Sequence, residues 1–202
     1  SWGEGVFTRP HGITIHQDVV YAADDTDHTV RAMTLDGQML WMIGTLNQPS
    51  DTGYSSEGRA NLRSIKRGAG PFNRPTRLAV APNGELYVSD GYGNARIHRF
   101  SADGTLIGSW GEPGSEPGQF SLPRSVWVHS DGRVFVCDRE NDRVQIFSPS
   151  GELLNIWTGL TRPGDLWIDT QNNVFVGEMA WDMDETHLNG NPFAEARCAQ
   201  MS

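Results

Sequence analysis

The sequence predicts an all-β fold and, within that class, a β-propeller. Three observations carry the prediction. A phrase of about 40–50 residues recurs four times in fixed order. Each copy reads as about four short strands with period-2 alternation, broken by turn residues such as Asp36-Gly37, Asn83-Gly84, Asp103-Gly104, Asp131-Gly132 and Asn172-Asn173. Apolar stripes at helical spacing are nearly missing.

The copies follow in order. The first runs from Pro10-His11-Gly12-Ile13 through Val20-Tyr21-Ala22-Ala23-Asp24 to Leu35-Asp36-Gly37. The second runs from Pro75-Thr76-Arg77-Leu78 through Leu86-Tyr87-Val88-Ser89-Asp90 to Ala102-Asp103-Gly104. The third has Pro123-Arg124-Ser125-Val126, Val134-Phe135-Val136-Cys137-Asp138 and Pro149-Ser150-Gly151. The fourth has Pro163-Gly164-Asp165-Leu166 and Val174-Phe175-Val176-Gly177-Glu178, and then departs from the pattern. A small twisted sheet cannot bury both faces alone; stacking such sheets radially buries them and leaves only short edges. Trp41, Trp110 and Trp157 recur at the outer strand, where a repeated Trp is expected to pack between blades.

Neither end falls on a repeat boundary. Ser1-Trp2-Gly3-Glu4 repeats Ser109-Trp110-Gly111-Glu112, which closes a blade. After Glu178 comes a polar insert, residues 179–186, and Arg197–Ser202 reads as the start of a third strand. The expected blades are residues 6–45, 72–112, 118–159 and 160–202, with 46–71 a long loop between blades. About four blades are therefore expected, in a ring completed by residues outside this chain or by another chain.

Composition suits a soluble globular domain: 202 residues with 23 Gly and 11 Pro, as a turn-rich β protein requires. No apolar run approaches membrane-spanning length. A formal net charge of −9 argues against nonspecific nucleic-acid binding. Cys137 and Cys198 form no CxxC pair, and Cys137, inside a strand, reads as a buried thiol. The compartment stays undecided.

Arg9, Arg74, Arg77, Arg124 and Arg162 stand at or before the openings of the inner strands. In a propeller these positions ring the central channel, so one reading is a cationic mouth for a carboxylate or phosphate. The other reading pairs each Arg with an acid such as Asp90, Asp138 or Asp165.

The copies resemble NHL repeats across essentially the whole chain. The resemblance lies in the Phe-x-x-Pro openings (Phe7 to Pro10, Phe72 to Pro75, Phe120 to Pro123), the Tyr-Val-x-Asp-type strands, and the pairs Asn94 to Ile97 and Asp142 to Val144. It implies a six-bladed ring, and it serves enzymes and scaffolds alike. A narrower stretch, Ser89 to Ile97 with Trp110-Gly111-Glu112, Pro117-Gly118-Gln119-Phe120 and Asp138-Arg139-Glu140-Asn141, is similar to peptidyl-α-hydroxyglycine α-amidating lyase. That family is a zinc-dependent propeller releasing an amidated peptide and glyoxylate. The resemblance implies a zinc-ligand role for His11, a catalytic tyrosine at Tyr92 and an active-site arginine at Arg139. It places a second ligand at Arg124 and a third beyond Ser202.

Arg124 departs from that pattern, because a guanidinium cannot ligate zinc and would repel it. His11 alone can equally be a structural or anion-binding residue. Tyr92 and Arg139 follow the strand-ending acids and are absent from the other copies, which separates them from the repeat's own framework. A rim tyrosine beside a channel arginine suits a general base. Two function classes follow. One is a ligand- or protein-binding scaffold with a mouth for a small carboxylate or a peptide. The other is a lyase-like enzyme, with zinc as the implied cofactor. A calcium-dependent lactonase-like propeller is a further enzyme reading, for which no ligand set is found. The loop with Arg59, Arg63, Lys66 and Arg67 either covers the mouth or is simply solvated.

Overall fold

A computed structural model describes residues 1–57, 61–179 and 198–201. It is all-β, with three four-stranded antiparallel sheets and a three-stranded one. The first blade holds β1 (Pro10–His16), β2 (Val19–Asp24), β3 (Thr29–Thr34) and β4 (Met39–Ile43). The second holds β5 (Pro75–Val80), β6 (Leu86–Asp90), β7 (Arg96–Phe100) and β8 (Leu106–Trp110). The third holds β9 (Pro123–Val128), β10 (Val134–Asp138), β11 (Arg143–Phe147) and β12 (Leu153–Trp157). The fourth holds β13 (Pro163–Ile168), β14 (Val174–Glu178) and β15 (Cys198–Met201). The stretch expected to open a third strand does so as β15, antiparallel to β14. Most of the polar insert, and Arg59 of the long loop, lie outside the described residues. No helix among the described residues is long and apolar enough to cross a membrane.

The strands are up-and-down within each blade, so the recurring Asp-Gly and Ser-Gly turns only join neighbours. The inner strands β1, β5, β9 and β13 lie side by side in that order. Between blades the core divides into three clusters. Phe72, Leu78, Val88 and Phe100 fill the first, with Trp41 against them. Phe120, Val126, Val136 and Phe147 belong to the second, with Trp110. Cys137, Ile146, Leu166 and Val176 belong to the third, with Trp157. The recurring tryptophans thus sit between blades, as the repeat pattern implies. Cys137 is a free buried thiol, and burial pushes its pKa upward.

Each second strand ends in an acid that turns back onto the loop before the inner strand. Asp24 accepts hydrogen bonds from the Thr8 and Arg9 amides at 2.6 and 2.9 Å. Asp90 takes the Asn73 amide at 2.9 Å, and Asp138 the Ser121 amide at 2.7 Å. Glu178 takes the Thr161 amide in the fourth blade. The third strand then supplies a side chain to the same acid in three blades: Arg31 to Asp24, His98 to Asp90 and Gln145 to Asp138. Asp90 and Asp138 are therefore framework residues whose acceptor capacity is used by Asn94 and His98, and by Asn141 and Arg143.

Asp90→Ala should test this framework. It would strand buried donors on Asn73, Asn94 and His98, which costs roughly 3–5 kcal/mol. A urea midpoint that falls accordingly, at unchanged slope, is the expected result; a loss below 1 kcal/mol would contradict the framework role.

Candidate functional site

The strand-opening prolines and strand-ending acids pair across the first two strands of every blade: Pro10 with Asp24, Pro75 with Asp90, Pro123 with Asp138 and Pro163 with Glu178. Here the residue before the proline has left-handed backbone in three blades: Arg74 (φ 64°), Leu122 (φ 64°) and Arg162 (φ 44°). This conformation is uncommon for side-chain-bearing residues, and it turns the chain sharply into the inner strand. Gly12 is demanded by close approach, since a Cβ there would sit 2.3 Å from the Thr76 carbonyl oxygen.

Four of the residues singled out from sequence converge. The His11 Nδ1–H donates to the Thr76 carbonyl at 2.9 Å, leaving Nε2 as the acceptor for the Tyr92 hydroxyl at 3.1 Å. The two rings meet edge to face, with centroids 5.0 Å apart. Arg74 lies 5.7 Å and Arg139 5.9 Å from the Tyr92 ring centroid. Tyr92 is thus flanked by two guanidinium groups, and its oxygen is held on an imidazole.

The other arginines divide by partner. Arg9 forms a two-point pair with Asp25, whose carboxylate is buried. Arg77 reaches past the third blade to Asp165 of the fourth at 2.6 Å. Asp165 also accepts from Ser125 Oγ at 2.6 Å. Arg139 and Arg162 share Glu140 Oε1, at 2.7 and 2.9 Å. Arg124 donates to the Gly164 carbonyl. Arg74 donates to the Tyr54 hydroxyl at 2.7 Å and to the Asp25 carbonyl at 3.3 Å, and its amide donates to His28 Nδ1 at 3.1 Å. Of the acids that the sequence suggested as partners, only Asp165 holds one of these arginines. Asp25, Glu140 and Tyr54 were not singled out from the sequence. Asp25 and Glu140 adjoin recognised positions, while Tyr54 sits in the long loop and carries no signal.

Charges here follow from these contacts. Burial would raise the Glu140 carboxyl, but hydrogen bonds from Arg162 and Arg139 and their charges hold it below the usual carboxylate range. His11 is pushed below its ordinary value by burial; the Thr76 carbonyl opposes this, and the nearby Arg124 charge adds to it. Its imidazole is therefore held neutral at neutral pH.

The Nδ1–H of His11 on a backbone carbonyl is an arrangement that metal-binding histidines also use, but here Nε2 is taken by the Tyr92 hydroxyl. The surrounding donors do not fit a zinc ion. Arg124, at the position where the resemblance puts a second ligand, cannot be one and instead donates to the Gly164 carbonyl, and among the described residues no three His, Cys, Asp or Glu side chains group so as to hold a metal.

Repeats and fold together define a class. An NHL repeat model matches residues 72–100 and 120–147, and the chain is an NHL-repeat β-propeller. It is similar to NHL repeat-containing protein 3 of Homo sapiens, at 33% identity over 168 residues, 78% of this chain and 44% of that protein. It is also similar to peptidyl-alpha-hydroxyglycine alpha-amidating lyase 1 of Drosophila melanogaster, at 32% identity over 163 residues, 74% of this chain and 27% of that protein. The chain thus spans less than half the length of these curated relatives. Among solved structures, virginiamycin B lyase from Staphylococcus aureus matches with a TM-score of 0.58 at 13% identity, over 84% of this chain and 48% of that one, which reflects shared fold.

The neutral His11 carries a sign that can be measured. Its folded pKa lies below the unfolded value, so as pH falls the unfolded chain takes up a proton first. The stability His11 contributes is present above pH 6.5 and is lost as pH falls toward the folded pKa. NMR titration of the His11 ring should give a midpoint below 6.5, and Arg124→Ala should move it upward. An unmoved midpoint would place Arg124 too far away to act on His11.

Proposed function

We propose that this end of the channel binds a ligand through a carboxylate, either a small molecule or a peptide C-terminus. The observation behind this reading is the bracketing of Tyr92 by Arg74 and Arg139, with its hydroxyl on the neutral His11. Arg74 and Arg124 make their hydrogen bonds to a hydroxyl and to backbone carbonyls rather than to carboxylates, so each keeps a charge to offer. Arginine suits a carboxylate because its donors form a planar fork. Arg9, Arg77, Arg139 and Arg162 hold acids already and serve mainly to shape the rim. Calorimetry against peptides with a free C-terminus, and against their amides, tests the reading. Arg74→Ala and Arg124→Ala should each weaken the acid form by roughly 1.5–3 kcal/mol and leave the amide unchanged. Equal binding of acid and amide would overturn it.

A second reading is a lyase-like enzyme. It is favoured by the meeting of His11, Tyr92 and Arg139, the residues that the resemblance to the amidating lyases pointed to, and by the Drosophila relative. In this reading Tyr92 is the proton-transferring group, and its hydroxyl is oriented by His11. Because the donors around His11 do not fit zinc, no step is assigned to a metal. A peptide ending in α-hydroxyglycine is the direct probe. Release of glyoxylate above background, lost by at least about 100-fold in Tyr92→Phe as expected for general acid–base work, would support an enzyme; no release leaves the binding reading alone.

A further inference from the structure

The long loop leaves the repeat pattern, yet a short part of it, residues 50–54, is bound into the framework beside Tyr92. Thr52 is buried, and its hydroxyl donates to the Gly93 carbonyl at 2.6 Å. The same oxygen accepts the Asn73 side-chain amide at 3.1 Å and the Tyr54 backbone amide at 3.2 Å. One proton given and both lone pairs filled use the whole capacity of a hydroxyl. The Asn73 side chain also donates to the Ser50 carbonyl at 3.0 Å. Asn73 precedes Arg74 and Gly93 follows Tyr92, and these backbones are paired. The Tyr92 amide donates to the Arg74 carbonyl at 3.3 Å and the Gly93 amide to the Asn73 carbonyl at 3.0 Å. The segment is therefore fastened to the two turns that carry Arg74 and Tyr92.

Tyr54 carries that fastening to a side chain. Its hydroxyl accepts the Arg74 Nη1–H at 2.7 Å. The guanidinium carbon lies 5.7 Å from the Tyr54 ring centroid and 5.7 Å from that of Tyr92, so Arg74 has a tyrosine ring on each side. Arg74 Nε adds a longer bond to the Asp25 carbonyl at 3.3 Å. A free arginine samples many rotamers, and a ligand that must order one loses affinity in doing so. Here the loop orders Arg74 before any ligand arrives. A neutral hydroxyl does this without cancelling the guanidinium charge, as a carboxylate in its place would.

We infer that Tyr54 is a positioning residue of this site: from the long loop, it holds Arg74 against Tyr92 in the orientation in which the guanidinium charge is offered. Tyr54 acts through Arg74 and not on the ligand directly. Its consequence for binding rests on the carboxylate reading above; the hold on Arg74 does not depend on what binds.

The test is a double-mutant cycle of Tyr54→Phe and Arg74→Ala in the whole chain, with butyrate and butyramide as probes and binding followed by NMR titration. Tyr54→Phe removes only the hydroxyl from a partly exposed ring, so the urea midpoint should stay where it is. The variant should weaken butyrate roughly three- to tenfold, the scale of one long side chain left to be ordered on binding, and leave butyramide unchanged. On the Arg74→Ala background the same change should do nothing, because the residue it acts through is gone. A measurement without ligand reads the hold itself: rotation about the Arg74 Nε–Cζ bond, followed by guanidinium nitrogen line shapes, should be faster in Tyr54→Phe than in the parent. If rotation speeds up while acid and amide bind alike, the hold on Arg74 stands and the carboxylate reading falls. If rotation and butyrate affinity are both unchanged in Tyr54→Phe while Arg74→Ala weakens butyrate, the carboxylate reading stands and Tyr54 is no positioning residue. If Tyr54→Phe weakens butyrate equally with and without Arg74, Tyr54 meets the ligand itself and the inference is overturned.

Discussion

A carboxylate at the end of each second strand, buried in the first three blades and half-buried in the fourth, governs this face of the propeller. It accepts amides from the loop before the inner strand, so it fixes where that strand begins. Asp24, Asp90, Asp138 and Glu178 do this in the four blades. Buried acids must be satisfied or they unfold their surroundings, and three or four hydrogen-bond donors reach each of the first three. With the loops pinned, the prolines, the left-handed residues ahead of them and the side chains just behind them have little freedom. His11, Arg74, Arg124 and Tyr92 inherit their positions from that pinning.

Electrostatics on this face are more balanced than a count of arginines suggests. Asp25 and Asp165 neutralise Arg9 and Arg77, and Glu140 offsets one of the two charges on Arg139 and Arg162. The Arg77–Asp165 bridge is partly exposed on both sides, so it contributes about 0–1 kcal/mol to stability. Its effect is geometric: it ties the second blade to the fourth. What remains uncommitted is concentrated around Tyr92, a small cationic spot on a protein of net charge −9.

The blades, their strands and the tryptophans between them were legible because the repeat writes each of them several times. His11, Tyr92 and Arg139 were legible through family likeness, and the framework role of Asp90 and Asp138 through their recurrence. The arginine partners were not. Which acid meets which guanidinium depends on loop curvature that no spacing encodes; Arg77 finds an acid 88 residues away. Nor was Tyr54, whose loop has no repeat to compare with. Sequence named the arginines at the strand openings but could not separate spoken-for charges from available ones.

The side chain behind the strand-opening proline also works for the neighbouring blade. His11 gives its Nδ1–H to the carbonyl of Thr76, the matching residue one blade on; Arg124 gives a guanidinium N–H to the carbonyl of Gly164 in the same relation. Imidazole and guanidinium satisfy that structural demand equally well while offering the channel quite different chemistry. The position can therefore drift between them under selection for activity without loosening the ring. The drift has a steric partner: a Cβ at residue 164 would come within 3.2 Å of Arg124 Nη1 and 2.8 Å of Met179 Sδ. The bare residue at 164 thus makes room for two side chains at once, Met179 first and the long Arg124 second.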